Sequence, residues 1–280
     1  MSLAALIESA SSLRMLMVGE QIEDIYHYVA PLGRPVKELI LSTEWRATET
    51  FAGGITAAAA QAQAVCQVAT WSDRRVRKER WVEVAHARKL FQVQHPVEAV
   101  DEPFPCGEYD VFAVIDYGHG GSPRIQAAKE SEFLALNVQT NSANYGFNLV
   151  RATDRVDYLV LDELEARLST GNRAGSLIES LVALQRHARK VIITLGKNGA
   201  VGMEEGDIFE CPAFTDRVVD TMGAGDCFFA VTAPLAREAT IPQLMQIGNA
   251  AAALKCQIIG HREAITKAAL INYLDSHGTH

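Results

Sequence analysis

Residues 218–236 read VVDTMGAGDCFFAVTAPLA: two carboxylates, Asp220 and Asp226, bracket a Gly-Ala-Gly turn that opens onto an apolar run. Residues 227–236 are apolar enough for a buried helix, so Gly223, Ala224, Gly225 and Asp226 form its first turn. The leading N–H groups of a helix lack intrahelical acceptors, and the aligned peptide dipoles place about half a positive charge there. Such an end attracts anions, and glycine lets the main chain approach them closely. Asp226 either caps this helix or holds a hydroxyl in line with a phosphoryl group resting on the amides of Gly223 to Gly225. A carboxylate at a helix N-terminus is expected to be a weaker base than a free one, which phosphoryl transfer tolerates because positioning and electrostatics dominate it. Asp220 either fixes the turn or holds a cation.

A sheet for this helix to cover is written in five runs: RMLMVGE from Arg14, DVFAVIDYGHG from Asp110, FLALNVQTN from Phe133, VDYLVLDELE from Val156 and KVIITLGKNGA from Lys190. Fully apolar strands alternating with helical patterns predict a parallel sheet wound on both faces, an α/β fold. Ligands in such sheets bind beyond the carboxyl ends of the strands. The polar residues that end these runs are therefore expected on one rim: Glu20 and Asp24, Asp116 and His119, Asn137 and Gln139, Asp162 and Glu165, and Thr194 to Gly199. Two segments, about 27–51 and 74–96, alternate like exposed strands and are expected to form a small β subdomain over that rim. The run GGITAAAAQAQAV after Phe51 and Ala52 reads as a helix packed against the sheet, entered through Gly53 and Gly54.

Composition narrows the function classes. The formal charge of −8, with basic residues scattered apart from DRRVRKER at 73–80, argues against nucleic acid as a partner. Five cysteines without paired spacing read as reduced thiols in a cytoplasmic protein. No apolar run approaches the length of a membrane span, and the N-terminus reads as a surface helix. The first strand lacks the G-x-G-x-x-G of a dinucleotide fold, which sets a dehydrogenase aside.

DTMGAGDCFFA resembles the D-T-x-G-A-G-D signature of the ribokinase-like, or PfkB, carbohydrate kinases, and further pieces follow in the same order. MLMVGEQIED is similar to the opening strand whose later acid, here Asp24, binds sugar hydroxyls; FAGGITAAAA to the substrate-binding Gly-Gly helix start; VIITLGKNGA to the turn beside the nucleotide; and IGNAAAAL to the late helix that brings Asn249 near the adenine. Within the family, VIDYGHG, VRKERWVE and KLFQV resemble the heptose-7-phosphate kinases, and LNVQTNSANYGFNLV followed by DYLVLDELEARL resembles a subgroup found in surface-polysaccharide sugar clusters.

The resemblance implies a three-layer α/β/α sandwich of 280 residues with a small β lid, ATP as phosphoryl donor and a sugar or sugar phosphate as acceptor. It implies Asp226 as base with Gly223, Ala224 and Gly225 as anion hole, Thr194, Gly196, Gly199, Thr221 and Asn249 at the nucleotide, and Asp24, Gly53, Gly54, Asp116, Asn137 and Arg80 at the sugar. Asp162 and Glu165 stand where the family has N-x-x-E and would tune Mg²⁺ through water; at i and i+3 they share a helical face. A monovalent cation near Asp220 is left open. Lys78 and Arg80 are either solvated charges or a phosphate clamp, His119 replaces a lysine that could meet a sugar phosphate, and Asn137, Gln139, Asn141, Asn144 and Asn148 serve either turns or hydroxyls.

Two departures stand out. Ala57 replaces a common asparagine, and AVCQVATWSDRRVRKERW at 64–81 lacks the roughly thirty residues that relatives insert after Val65. A thin flank there would favour a homodimer. The same departures keep a second reading open, a catalytically impaired nucleotide or sugar binder that partners a separate nucleotidyltransferase.

Overall fold

The computed structural model describes residues 1–33, 39–86, 88–121, 133–214 and 217–277. Eight strands form the main sheet: β1 (Arg14–Gly19), β4 (Gln67–Trp71), β8 (Val111–Asp116), β9 (Leu134–Val138), β10 (Val156–Asp162), β11 (Ala188–Thr194), β12 (Ala200–Glu204) and β13 (Asp207–Cys211). Their order is β13-β12-β11-β10-β9-β8-β1-β4, parallel from β4 to β11 and antiparallel over the last two. The strands carry apolar residues on both faces because both faces are covered. Met15 and Met17 pack on one side with the helices α1 (Leu3–Ser9), α2 (Ile55–Ala62), α5 (Ala224–Thr232), α6 (Ile241–Lys255) and α7 (Lys267–His277). Leu16 and Val18 pack on the other with α3 (Glu163–Thr170) and α4 (Leu177–Leu184).

A second sheet stands on the first. Its strands are β2 (Gln21–Pro31), β3 (Thr43–Gly54), β5 (Arg74–Glu83), β6 (Arg88–Gln94) and the short β7 (Glu98–Ala99), in the order β3-β2-β5-β6 with β7 beside β5. It is larger than the two segments read from the sequence: β2 starts at Gln21, one residue after the main sheet, and β3 runs to Gly54. The strand reading of residues 37–42 falls partly outside the described residues, and the strand begins at Thr43. The chain crosses between the sheets at Glu20, at Gly54 and at Ser72–Asp73, three points held together by hydrogen bonds from Ile55 N–H to the Glu20 carbonyl (3.0 Å) and from Gln21 N–H to Ser72 Oγ (3.2 Å). Gly54, at φ 57°, has no room for a side chain, since a Cβ would lie 2.4 Å from the Glu20 carbonyl oxygen.

β4 passes to β5 through two residues, and β4 is the last strand of the main sheet. Among the described residues of β4 no large apolar side chain is exposed; the second sheet and its connections expose Leu39, Ile40, Leu41, Trp45, Phe91 and Val93. Among the described residues no helix is long and apolar enough to cross a membrane.

Candidate active site

Strand β1 lies between β4 and β8, so the crossovers from it leave in opposite directions and open a crevice at the carboxyl ends of β1 and β8. Glu20 fills its floor, fully buried, accepting hydrogen bonds from the backbone N–H groups of Tyr117 and His119, both at 3.0 Å. Burial, aided by the Asp116 charge, pushes its carboxyl up to about 7. The neighbouring rim positions follow in register: Asp116 ends β8, Asn137 and Gln139 end β9, Asp162 ends β10 and Thr194 ends β11.

Asp226 enters from the opposite side, in the first turn of α5. Gly223 is the N-cap residue at φ 72°, where a Cβ would press on the His261 ring at 3.0 Å. The first intrahelical bond runs from Cys227 N–H to the Gly223 carbonyl, and the Ala224 N–H donates to the Thr221 carbonyl at 3.2 Å. Of the three amides expected to form an anion hole, that of Ala224 is spent on the turn, whereas the Gly223 and Gly225 N–H groups, and that of Asp226 beside them, meet no acceptor among the described residues. A Cβ on Gly225 would stand in open space.

The Asp226 carboxylate accepts a short hydrogen bond from Gln139 Nε2, which also donates to Asn137 Oδ1. Burial lifts Asp226 above the ordinary carboxylate range, opposed by Gln139, by the facing Tyr117 phenol and by the Lys78 and Lys255 charges. The expectation of a weakened base is corrected here, because desolvation outweighs the helix terminus.

Asp162, Glu165, Thr194, Gly223, Gly225 and Asp226 converge on one cavity of about 230 Å³. Asp162 is exposed at the head of α3, and Glu165 is buried behind it. They form a reciprocal capping box, Glu165 N–H to Asp162 Oδ1 at 2.7 Å and Asp162 N–H to Glu165 Oε2 at 2.8 Å, and Thr140 N–H takes the other Glu165 oxygen at 3.0 Å. Burial and the Asp162 charge push Glu165 up to about 8. Beyond Thr194, the turn at Gly196 and Gly199 leads to a second cavity of about 730 Å³ lined by Lys197, Phe214, Tyr273 and His277. Gly199 touches the β13 end so closely that a Cβ would lie 2.0 Å from the Cys211 carbonyl oxygen. Asn249 ties α6 to the same segment through Cys211 and Pro212 carbonyls, which occupies its amide hydrogens. Thr221 lines a different cavity, with Tyr26, Tyr28, Lys89 and Asp220, on the second-sheet side.

The second sheet turns Asp24, Lys78 and Arg80 toward the rim. Asp24 is paired with Arg80 and lies 3.8 Å from His261 Nε2, and Gly53 leaves it room, since a Cβ there would sit 2.6 Å from its Oδ2. Lys78 is buried and makes no hydrogen bond to the described protein; desolvation lowers its affinity for its proton while Asp226 and Glu20 act to restore it. His119 is also buried, with Nε2 unpartnered, and burial brings it down to about 4, so the ring is neutral. The carboxamides resolve toward turn chemistry: Asn137 donates to the Val160 carbonyl, Asn141 to Tyr117, Asn144 to Gln139 and Asn148 to Asp116, locking the ends of β8 and β9. Gln139 alone of that group reaches Asp226. Three neighbours of the turn were not singled out in the sequence, Tyr117, His261 and Lys255; the lysine was legible as one charge ending the apolar run AAAAL.

A profile of the pfkB family carbohydrate kinases matches residues 126–268. The 2-dehydro-3-deoxygluconokinase of Bacillus subtilis (strain 168) is 35% identical over 120 residues, 41% of this chain and 36% of that protein. The curated relatives compared are covered over 23% to 43% of their own length. Among solved structures, the ribokinase of Arabidopsis thaliana complexed with ribose and ATP superposes with a TM-score of 0.68 at 16% identity, over 94% of this chain and 99% of that one. The phosphofructokinase-2 of Escherichia coli in complex with potassium gives 0.69 at 13% identity, over 95% and 100%. The fold is ribokinase-like, and with half of its length matched by the family profile, the chain belongs to the pfkB family of carbohydrate kinases.

Proposed function

We propose that this protein transfers the γ-phosphoryl group of ATP to a hydroxyl of a sugar phosphate, a heptose phosphate in the reading the sequence favours, in the making of activated sugars for surface polysaccharides. The observation that carries the proposal is the meeting, on one rim, of the Asp226 carboxylate, of raised proton affinity, with N–H groups that have no acceptor among the described residues, those of Gly225 and Asp226 among them. Asp226 takes the proton of the acceptor hydroxyl as its oxygen bonds to the γ-phosphorus. The bond from that phosphorus to the β-γ bridging oxygen breaks and ADP departs. The Gly225 and Asp226 amides face the migrating oxygens, where charge stabilisation is worth most. Thr194 and the Gly196–Gly199 turn lead the nucleotide toward the cavity at Lys197 and Phe214.

Lys78, buried and without an acceptor among the described residues, supports an anionic acceptor, with Arg80 and Lys89 on the same side of the cleft. Asp24 and Asp116 would then meet sugar hydroxyls. The second sheet acts as a lid that keeps water from the reacting phosphate.

The carboxylate chemistry at Asp162 and Glu165 fits Mg²⁺ only through water, since both Glu165 oxygens already accept N–H groups and no cluster of three metal-ligating side chains exists among the described residues. When bound, the ion would neutralise charge on the nucleotide phosphates; Asp162 would orient its water.

The test is an ADP-release assay over hexose, heptose and sugar-phosphate acceptors. Wild type turns over a sugar phosphate, and Asp226→Asn loses about 10²–10⁴-fold in kcat, the span of a general base. Full turnover by Asp226→Asn removes Asp226 from the chemistry.

A further inference from the structure

Lys255 closes helix α6 and is fully buried. Its ammonium donates to the Gly260 carbonyl at 2.6 Å, the one hydrogen bond it makes to the described protein. Its Cε lies 3.6 Å from where a Cβ on Gly223 would stand, so the side chain runs directly behind the N-cap of α5. Around it the chain is cross-tied. The Asp220 carboxylate accepts from Met222 N–H (3.0 Å) and Gly260 N–H (2.9 Å), and the Cys256 carbonyl accepts from Val219 and Asp220 N–H (2.9 and 3.1 Å). The turn and the segment 256–261 are thus sewn together around one buried ammonium, whose hold on its proton burial weakens while neighbours including the Asp220 and Asp226 carboxylates act to restore it.

A buried ammonium with a single neutral acceptor is a costly way to fill volume, which a methionine would fill without desolvating a charge. What the charge does that methionine cannot is raise the potential at the turn from behind while the Gly260 carbonyl holds it in place. A main-chain carbonyl is a ligand that a bare monovalent cation takes, and Asp220, whose carboxylate is tied to the same segment, was the residue beside which the sequence left such a cation open. We infer that Lys255 is a tethered substitute for that cation: it is a positioning residue that holds the 219–223 turn and supplies its positive charge, so the protein needs no free potassium or sodium ion. The catalytic half of this inference rests on the kinase reading above; the cation site itself does not.

The experiment follows ADP release and thermal unfolding in choline chloride, with potassium, sodium or methylammonium chloride substituted at constant ionic strength. Wild type shows the same turnover and Tm in every salt. Lys255→Ala opens the site: in choline it loses about 100-fold in kcat, as expected for one lost electrostatic contact, and regains at least about tenfold with potassium or methylammonium. Its Tm rises by about 3 °C in those salts over choline, the effect of an ion that binds only the folded state. Lys255→Met restores the volume without the charge; it melts near wild type and stays slow in every salt.

Activation of wild type by potassium overturns the inference, as does a Lys255→Met variant with wild-type kcat. So does a folded Lys255→Ala variant whose Tm ignores the salts. Should no acceptor be phosphorylated, the kinase reading fails while the Tm comparison still decides the cation site, and should Lys255→Ala not fold, the salt response of wild type decides.

Discussion

Gly225 and Gly54 are both glycines beside the site, yet they are glycine for different reasons. At Gly54 the backbone adopts a positive φ with the Glu20 carbonyl in the way, so Gly54→Ala forces strain of about 1–3 kcal/mol and lowers Tm by several degrees, measured by calorimetry. At Gly225 nothing stands near the missing side chain and φ is not positive. Gly225→Ala therefore folds normally and gains up to about 1 kcal/mol from a less flexible unfolded chain. If Gly225 binds the phosphoryl oxygens as proposed, the added methyl group projects into their path, and turnover falls while Tm holds or rises. A parallel loss of both would make Gly225 a folding residue only.

The capping box at the start of α3 carries its own pH signature. Glu165 is raised from its ordinary 4.5 to about 8, so the folded protein holds a proton that the unfolded chain releases. Its contribution to stability is full below pH 4.5 and is lost as pH rises through 8. Thermal unfolding between pH 5 and 8.5 is expected to show a falling Tm that Glu165→Gln flattens, because the amide keeps a neutral side chain throughout. An unchanged slope in the variant would assign the pH dependence to other groups, Glu20 first among them, which loses its proton near 7.

At the scale of the whole molecule, the second sheet leaves a patterned outer face. Trp81 stacks on Phe91 with centroids 4.5 Å apart and His27 lies over the same indole at 4.6 Å, while Phe91 and Trp45 remain 47% and 65% exposed. The sequence put the proposed homodimer contact at a thin flank of the sheet or lid after Val65; we place it on this face of the second sheet, which exposes Phe91 and Trp45. Phe91→Glu is expected to shift sedimentation of the wild-type dimer to monomer without unfolding it. A wild type that sediments as a monomer at micromolar concentration removes the dimer.

Read alone, the sequence determined the class of fold, because strands buried on both faces have to be apolar throughout and the signature turn has to begin a helix. It determined which residues end the strands of the main sheet, and so part of the rim, Asp116, Asp162 and Thr194, and that Asp226 heads a helix. It did not decide what those residues do with their hydrogen-bonding groups, because partners come from strands and loops far apart in the chain. Gln139 on Asp226, the Thr221 carbonyl taking the Ala224 amide, and Lys255 behind Gly223 are juxtapositions between separate elements. The proton affinity of Asp226 likewise follows from burial, a property of the packed molecule, so only the tertiary structure could reverse the sign expected from its place at a helix end.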